Sequence, residues 1–375
     1  MREIIGSSTL GILKKAKSLR EKGKDIAILA LGEPDFDTPE FIKEAAKQAM
    51  DLGYTKYPPV EGLYELREAV VEWEKERGLE YTPDEVIITC GAKQGIFSVL
   101  FYLIEDEEVL IPSPYWVSYP KMVELVGGTP VFLDTAKEKL TPEILEKHIT
   151  ERTKVLILNS PSNPSGVVYS LDELEGIAEI IKKHDIFVIS DEIYSSITYD
   201  GPAPSIGTIP GMKERTFVVS GVSKAFAMTG WRVGWVLAPQ HEIQALKNIQ
   251  SHMLTSTSSI SQYAAMVALK KGKESVREMV EKFRKRRDLV VKLAGEIENT
   301  SFPEPHGAFY LFLDVSYYTK NTARLAEVLL EHGVAVVPGE AFGCPGYIRI
   351  SYASSEEEIK KGMERIKRCL YARTF

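Results

Sequence analysis

The sequence predicts an α/β fold organised around a largely parallel sheet. Three features carry that reading. From about residue 84 onward, short apolar runs recur, and amphipathic helical patterns lie between several of them. The runs themselves are almost continuously apolar, as strands covered by helices on both faces are. Beyond Lys270 the texture changes, which points to a second, smaller α+β unit.

Seven strands are predicted in order: Glu85–Thr89, Glu108–Ile111, Thr129–Leu133, Lys154–Leu158, Ile186–Ser190, Thr216–Val219 and Val233–Ala238. The segment Leu171–His184 shows the intervening helical pattern, with Leu171, Leu174, Ile177, Ala178 and Ile181 at helical spacing. After Lys270 a long charged amphipathic stretch, Glu274 to Ile297, precedes short strands with Pro and Gly turns and a last helix, Ser355 to Tyr371. Near the start, Ile12–Lys22 is also helical in pattern. These features divide the chain into a large domain of residues 45–275 and a small domain built from both ends, 1–44 and 276–375.

Composition narrows the function classes. At roughly 150 residues per domain, 375 residues suggest about two to three domains and a sizeable core. Hydrophobic residues are 44% and charged residues 26%, ordinary for a globular protein. Net charge is −7 and there is no basic block, so nucleic acid is not an expected partner. Apolar runs such as Val99–Ile104 are far too short to span a bilayer, and Arg2 and Glu3 do not begin a signal peptide. Cys90, Cys344 and Cys369 are scattered, which supports neither disulfides nor a zinc site and makes a cytoplasmic location the expectation. The six histidines are dispersed, and none is assigned to a metal. No GxGxxG follows a strand, no GxxxxGK[ST] occurs, His241-Glu242 lacks the second His of HExxH, and Gly221-Val222-Ser223 lacks the closing Gly of a nucleophile elbow.

In open α/β sheets ligands bind beyond the carboxyl ends of the strands, so the residues after each run are the ones to read. Cys90-Gly91-Ala92-Lys93 places small residues at a strand-to-helix turn, where backbone N–H groups and the helix dipole attract an anion; such residues also open helices for packing alone. The stretch Asn159 to Gly166 makes a rigid turn around Asn163, which taken alone reads first as a turn residue. Asp191 ends an apolar run and is either a structural cap or the counter-charge of a bound cation. Lys224 follows another strand in an apolar loop, where desolvation lowers an amine's pKa and makes it a nucleophile; most lysines are merely solvated. Together the four clusters converge on pyridoxal 5'-phosphate. Its phosphate needs a helix N-terminus and an Arg, its ring nitrogen an Asp, and its aldehyde a Lys.

With those residues in view, the chain resembles a class I aminotransferase of PLP fold type I. The resemblance runs from Leu31-Gly32-Glu33-Pro34-Asp35-Phe36 to Tyr347-Ile348-Arg349-Ile350-Ser351-Tyr352 and is most specific in Ser223-Lys224-Ala225-Phe226-Ala227-Met228-Thr229-Gly230-Trp231-Arg232. Among the branches it is closest to the aspartate aminotransferases of the Iβ subgroup. It implies that Lys224 holds the cofactor's aldehyde carbon, that Asp191 holds the pyridine nitrogen protonated, and that Tyr194 and Asn163 bond its phenolic oxygen. Trp116, in Pro112-Ser113-Pro114-Tyr115-Trp116, would lie on the ring face, with Gly91, Ala92 and Arg232 at the phosphate. Tyr57, in Tyr57-Pro58-Pro59-Val60-Glu61-Gly62, would reach the phosphate of a neighbouring subunit, implying a homodimer with shared active sites. Some relatives carry a hydroxyl residue three before the lysine; here that residue is Gly221, and Ser223 is a further phosphate candidate. Arg349 would grip the substrate's α-carboxylate, with Gly32 as a backbone donor beside it.

The implied reaction is ping-pong transfer of an amino group from an L-amino acid to a 2-oxo acid, with 2-oxoglutarate the expected acceptor. For the donor, the Iα branch uses an arginine that has no counterpart in Ser251 to Tyr263. The Iβ branch uses a lysine beside the phosphate loop, and Lys93 stands there, so aspartate is the expected donor; the alternative is that Lys93 only balances phosphate charge. Ser8 and Thr9 are further candidates for the same pocket. Competing readings on this fold are an aromatic, alanine, kynurenine or prephenate aminotransferase, or a PLP-dependent lyase. A DNA-binding regulator is disfavoured, since no basic segment could serve it.

One compositional bias remains. Six Gln and five Asn stand against thirty Lys, a depletion of heat-labile amides that is a tendency of hyperthermophile proteins. The expected thermal midpoint therefore lies above about 60 °C, near the upper end for mesophile domains. A calorimetric midpoint below that would count against a thermophilic origin.

Overall fold

The computed structural model describes residues 8–136, 139–373 and 375, with the backbone alone at 8–10. The seven expected strands all form, and all join one sheet. They are β1 (Val86–Thr89), β2 (Glu108–Ser113), β3 (Thr129–Asp134), β4 (Thr153–Asn159), β5 (Phe187–Asp191), β6 (Thr216–Gly221) and β7 (Gly234–Leu237). Their order across the sheet is β1-β7-β6-β5-β4-β2-β3. Pairs β3·β2, β2·β4, β4·β5 and β5·β6 are parallel, whereas β7 runs antiparallel to both β6 and β1. Thus one strand opposes six.

That single reversal matters for position. The parallel strands end at one edge of the sheet. A strand running the other way begins there, so Arg232, just before β7, and Lys224, just after β6, belong to the same edge.

Strand ends differ slightly from the expected ones. Glu85 belongs to a 3₁₀ turn, Pro83–Glu85, whose Thr82 and Glu85 satisfy each other's backbone N–H groups. Strand β6 runs on to Gly221 because β7 pairs Gly234 with it, two glycines face to face. The central strands are buried on both faces, while β3, at the sheet edge, is largely exposed and leaves Phe132 in solvent.

The helix Leu171–His184 shows how local sequence sets an element. Ser170 and Glu173 cap its start, Asp172 and Glu173 sit in its first turn, and Lys182, Lys183 and His184 in its last, all matching the helix dipole. Asp185 ends it in the left-handed region. Leu174, Ile177, Ala178 and Ile181 pack on Leu156, Leu158 and Val188 of the sheet, while Leu171 at the helix start stays exposed. On the opposite face the helix Gly91–Leu103 buries Ile96, Val99 and Leu100 against Ile87, Val219 and Val236.

Beyond the large sheet, β8 (Tyr310–Asp314), β9 (Val337–Pro338) and β10 (Tyr347–Ser351) form an antiparallel sheet in the order β9-β10-β8. Ala27–Ile28 pairs in parallel with Val334–Ala335. One core joins Ala27 and Leu29 from the start of the chain to Tyr310, Ile348 and Ile350, and to Ile359, Met363 and Ile366 of the helix Glu356–Ala372. The charged stretch forms the helix Lys273–Gly295, and the first helix spans Ser8–Glu21. Among the described residues no helix is long and apolar enough to cross a membrane.

Gly234 is where sheet and helix come closest. A Cβ there would lie 2.6 Å from the Ala92 backbone nitrogen and 2.9 Å from the Ser220 carbonyl oxygen. Backbone atoms cannot step aside as side chains do. Gly234→Ala is therefore expected to destabilise the protein by about 1–3 kcal/mol, the usual cost of overpacking. A lower midpoint in urea with an unchanged slope would show it; an unchanged midpoint would mean the strand has room.

Candidate active site

The strand ends and the loops beyond them enclose a cavity of about 250 Å³. Lys93, Lys224, Arg232 and Arg349 line it, together with one carboxylate, Asp191. Among the described residues, none of the four cations forms an ion pair with a carboxylate. They are held by neutral groups instead.

Lys224 Nζ donates to the Gly32 carbonyl at 2.7 Å and lies 5.9 Å from the centre of the Tyr194 ring. Burial draws its pKa down to about 8; Glu33 opposes that shift, while Arg349 and Arg232 add to it. Arg232 donates to the Thr229 carbonyl at 2.8 Å and the Cys90 carbonyl at 3.1 Å. Its guanidinium presses on Gly91, where a Cβ would come within 2.5 Å of it, and Gly91 takes a positive φ of 74°. Only glycine fits that position without strain.

Asp191 ends β5 and is 4% exposed. Its Oδ2 accepts from the Tyr119 hydroxyl at 2.5 Å and its Oδ1 from the Ile193 N–H at 3.3 Å. Burial raises its pKa to about 6 even though the Tyr119 bond pulls the other way. Asn159, one strand over and paired with Asp191 in register, donates its amide to the Asp191 carbonyl at 2.8 Å. Its Oδ1 accepts from the Asn163 N–H at 2.8 Å, which fixes the turn that presents Asn163.

Arg349 is 4% exposed. It donates to Asn163 Oδ1 at 2.9 Å and to the Ala30 carbonyl at 3.2 Å, and its Nε is buried with no partner. Burial lowers its pKa. Lys93 Nζ lies 4.8 Å from the Trp116 ring centre; partial burial, and then Arg232, lower its pKa. Two loops meet over the cavity. Thr229 donates to Glu33 at 2.9 Å, Thr38 to the Ala227 carbonyl at 2.7 Å, and Asp35 is gripped at two points by Arg286.

Of the residues singled out from sequence, Gly32, Ala92, Lys93, Trp116, Asn163, Asp191, Tyr194, Ser223, Lys224, Arg232 and Arg349 all line this cavity. Gly91 lies under Arg232 instead of lining it. Tyr57 stands away from the cavity of its own chain, 89% exposed. The side chains of Ser8 and Thr9 lie outside the described residues. Sequence reasoning passed over Tyr119, Asn159, Thr229 and Phe342, which also line the cavity. Asn159 could have been found, since it is the first residue after the predicted strand Lys154–Leu158, level with Asp191. Tyr119 gave no such signal, because it opens a helix and reaches Asp191 only through the fold.

Comparison with known proteins shows the family and the fold. A family model described as aminotransferase class I and II matches residues 24–366. A probable aspartate/prephenate aminotransferase of Thermus aquaticus is 45% identical over 373 residues, covering 97% of this chain and 96% of that protein. The aspartate aminotransferase of Thermus thermophilus, solved with maleate, superposes with a TM-score of 0.92 at 42% identity, covering 98% of this chain and all of that one. An aromatic aminotransferase from Pyrococcus horikoshii OT3 gives 0.90 at 43% identity, covering 95% of this chain and 99% of that one.

The Lys224 amine yields a pH prediction. Only the neutral amine is a nucleophile, and here it forms as pH rises through about 8, where a solvated lysine has a pKa of 10.5. In cofactor-free protein, labelling of Lys224 by an acylating reagent, read by peptide mass spectrometry, should be half-maximal near pH 8. A profile still rising at pH 10 would contradict the buried environment.

Proposed function

The chain belongs to the class I and II aminotransferases, and from that premise we propose that its cavity holds pyridoxal 5'-phosphate and moves the amino group of aspartate to a 2-oxo acid, 2-oxoglutarate first. The observation that carries this reading is the set of four cations around one buried carboxylate, none neutralised by another. Such a site suits a ligand set with a phosphate, two carboxylates and a protonated ring nitrogen.

The residues fit the cofactor. The helix Gly91–Leu103 starts at Cys90 with no side-chain cap, so its first N–H groups, with Arg232 and Ser223, suit the phosphate. Asp191 suits the ring nitrogen, since a cation there offsets the burial that raises its pKa. Trp116 offers a face to the ring. Tyr194 would bond the phenolic oxygen together with Asn163, whose Oδ1 is taken by Arg349 and whose Nδ2 is left to donate. When bound, pyridoxal phosphate supplies an aldehyde that condenses with amines and an electron-poor ring that accepts the electrons of the substrate's Cα–H bond.

The chain's own groups do the rest. Arg349, which lines the cavity, grips the α-carboxylate with its guanidinium N–H groups. Gly32 lies beside it. That grip orients the Cα–H bond, and the Lys224 amine, neutral in part at physiological pH, removes the Cα proton. Asp191, once ionised against the ring nitrogen, stabilises the charge that develops there. Lys93 receives the distal carboxylate as a flexible point charge.

We further propose that Tyr57 serves the phosphate of a second subunit in a homodimer, and that the enzyme works in the cytoplasm, where its three free thiols stay reduced. The division into residues 45–275 and the two chain ends, 1–44 and 276–375, is part of the same reading. A second substrate class has support of its own. Leu13, Ile96, Val117 and Phe342 also line the cavity, an apolar wall that suits the ring of prephenate or an aromatic amino acid, substrates named for relatives.

A donor-by-acceptor activity matrix tests the proposal. Aspartate with 2-oxoglutarate should stand among the fastest pairs. Lys93→Ser should cut aspartate turnover about 10- to 100-fold, the worth of a charged hydrogen bond, with little change for alanine or phenylalanine. Equal losses for all donors would confine Lys93 to balancing phosphate charge.

A further inference from the structure

Tyr310 lies behind the cavity wall and touches two of the residues that form it. Its hydroxyl is 2.9 Å from the Tyr194 hydroxyl, and the two rings meet edge to face at 5.8 Å. A Cβ placed on Gly32 would lie 3.9 Å from the same hydroxyl. Over its ring sits the Arg349 guanidinium, 4.4 Å from the centroid. Strand pairing puts it there. Tyr310 of β8 pairs with Ser351 of β10, and Arg349 pairs with Phe312, so Tyr310 and Arg349 are diagonal neighbours on one face. Tyr194, Tyr310 and Arg349 are 4%, 0% and 4% exposed, so none of these contacts is shared with bulk water.

We propose that Tyr310 is a positioning residue that joins the carboxylate grip to the cofactor's phenolic oxygen: its hydroxyl donates to Tyr194, which frees the Tyr194 proton for the cavity, and its ring supports Arg349. The inference rests on the cofactor reading above. Two phenols 2.9 Å apart share one proton between them. Burial raises both pKa values, that of Tyr194 well above the ordinary phenol range. Arg349 opposes the rise at both hydroxyls, and place sets the direction: Tyr194 lines the cavity and Tyr310 does not, so a phenolic oxygen bound there takes the Tyr194 proton and leaves Tyr310 to donate. The charged groups that face the pair are Arg349, Asp191 and Lys224 around Tyr194, and Glu33 with Arg349 around Tyr310. A carboxylate arriving at Arg349 neutralises the cation over the Tyr310 ring. Tyr310 then donates less strongly, and Tyr194 follows. Substrate binding is thereby felt at the Tyr194 hydroxyl, with no movement of the backbone required.

The test uses the holoenzyme and maleate, a dicarboxylate without an amino group. The pH titration of the visible absorbance of the lysine-bound cofactor is read with and without maleate. Tyr310→Phe removes the hydroxyl and keeps the ring. Its titration constant should shift about threefold toward higher pH, as a hydrogen-bond chain loses its outer member, and maleate should shift it less than it shifts the wild type. Tyr310→Leu removes the ring as well and should weaken maleate binding about 3- to 10-fold, the range of a buried cation–π contact. A double-mutant cycle separates this from general damage: in a Tyr194→Phe background, Tyr310→Phe should leave the titration where it is. A Tyr310→Phe titration identical to wild type would overturn the hydroxyl's role, and unchanged maleate affinity in Tyr310→Leu would overturn the ring's. A wild-type protein that gains no visible band with pyridoxal phosphate would instead overturn the cofactor reading itself.

Discussion

Charge is kept unneutralised around one cavity, at the buried Asp191 and Arg349 and the half-buried Lys224, and the rest of the molecule is arranged around that constraint. A buried ion without a partner costs several kcal/mol, so most proteins pair such groups. This one does so elsewhere. Arg77 bridges the buried carboxylates of Glu74 and Glu192, and Arg286 holds Asp35 at two points. At the cavity the cations meet carbonyl oxygens instead: Gly32 for Lys224, Cys90 and Thr229 for Arg232, and Ala30 for Arg349. Carbonyls hold a cation in place and leave its charge to be felt by a ligand. Asp191 has its counterpart in Tyr119, which donates a hydrogen bond and brings no positive charge.

Holding such groups apart needs stiff supports. The sheet supplies them on one side, because Asn159, Asp191 and Gly221 are the last residues of adjacent strands fully covered by helices. On the other side the loop carrying Gly32 is tethered to the loop carrying Lys224 through Thr229, Thr38 and Trp231. Arg349 comes from the second sheet, where β10 lies between β8 and β9 with every side chain buried. Pieces of chain distant in sequence thus contribute charges and acceptors to one cavity. None of them is complete without the others.

Much of this is legible in the order of the amino acids. Each predicted strand exists, and a lysine and an aspartate standing just past apolar runs are recognisable because charge at the end of a buried strand is expensive and calls for a reason. Resemblance to a known family adds Arg349, Gly32 and Trp116, which single-sequence chemistry would read as surface or core. The partners of these groups are not visible in that way. Tyr119 sits at the start of a helix, and Tyr310 lies within the run Phe309 to Leu313, where an aromatic residue reads as ordinary core. Their hydroxyls find Asp191 and Tyr194 only across separations of 72 and 116 residues.

By itself the sequence determined the sheet, its mostly parallel sense and the kinds of chemical group delivered to its edge, because periodicity and the cost of burying charge act over a few residues at a time. Tertiary structure alone decided which neutral partners hold those groups, that the reversed β7 brings Arg232 beside Lys224, and that Arg349 stacks on the tyrosine that reaches Tyr194. The reason is physical. Hydrogen-bond geometry, and the desolvation that moves the Lys224 and Asp191 pKa values toward each other, are properties of the surrounding protein, and no local stretch of chain contains them.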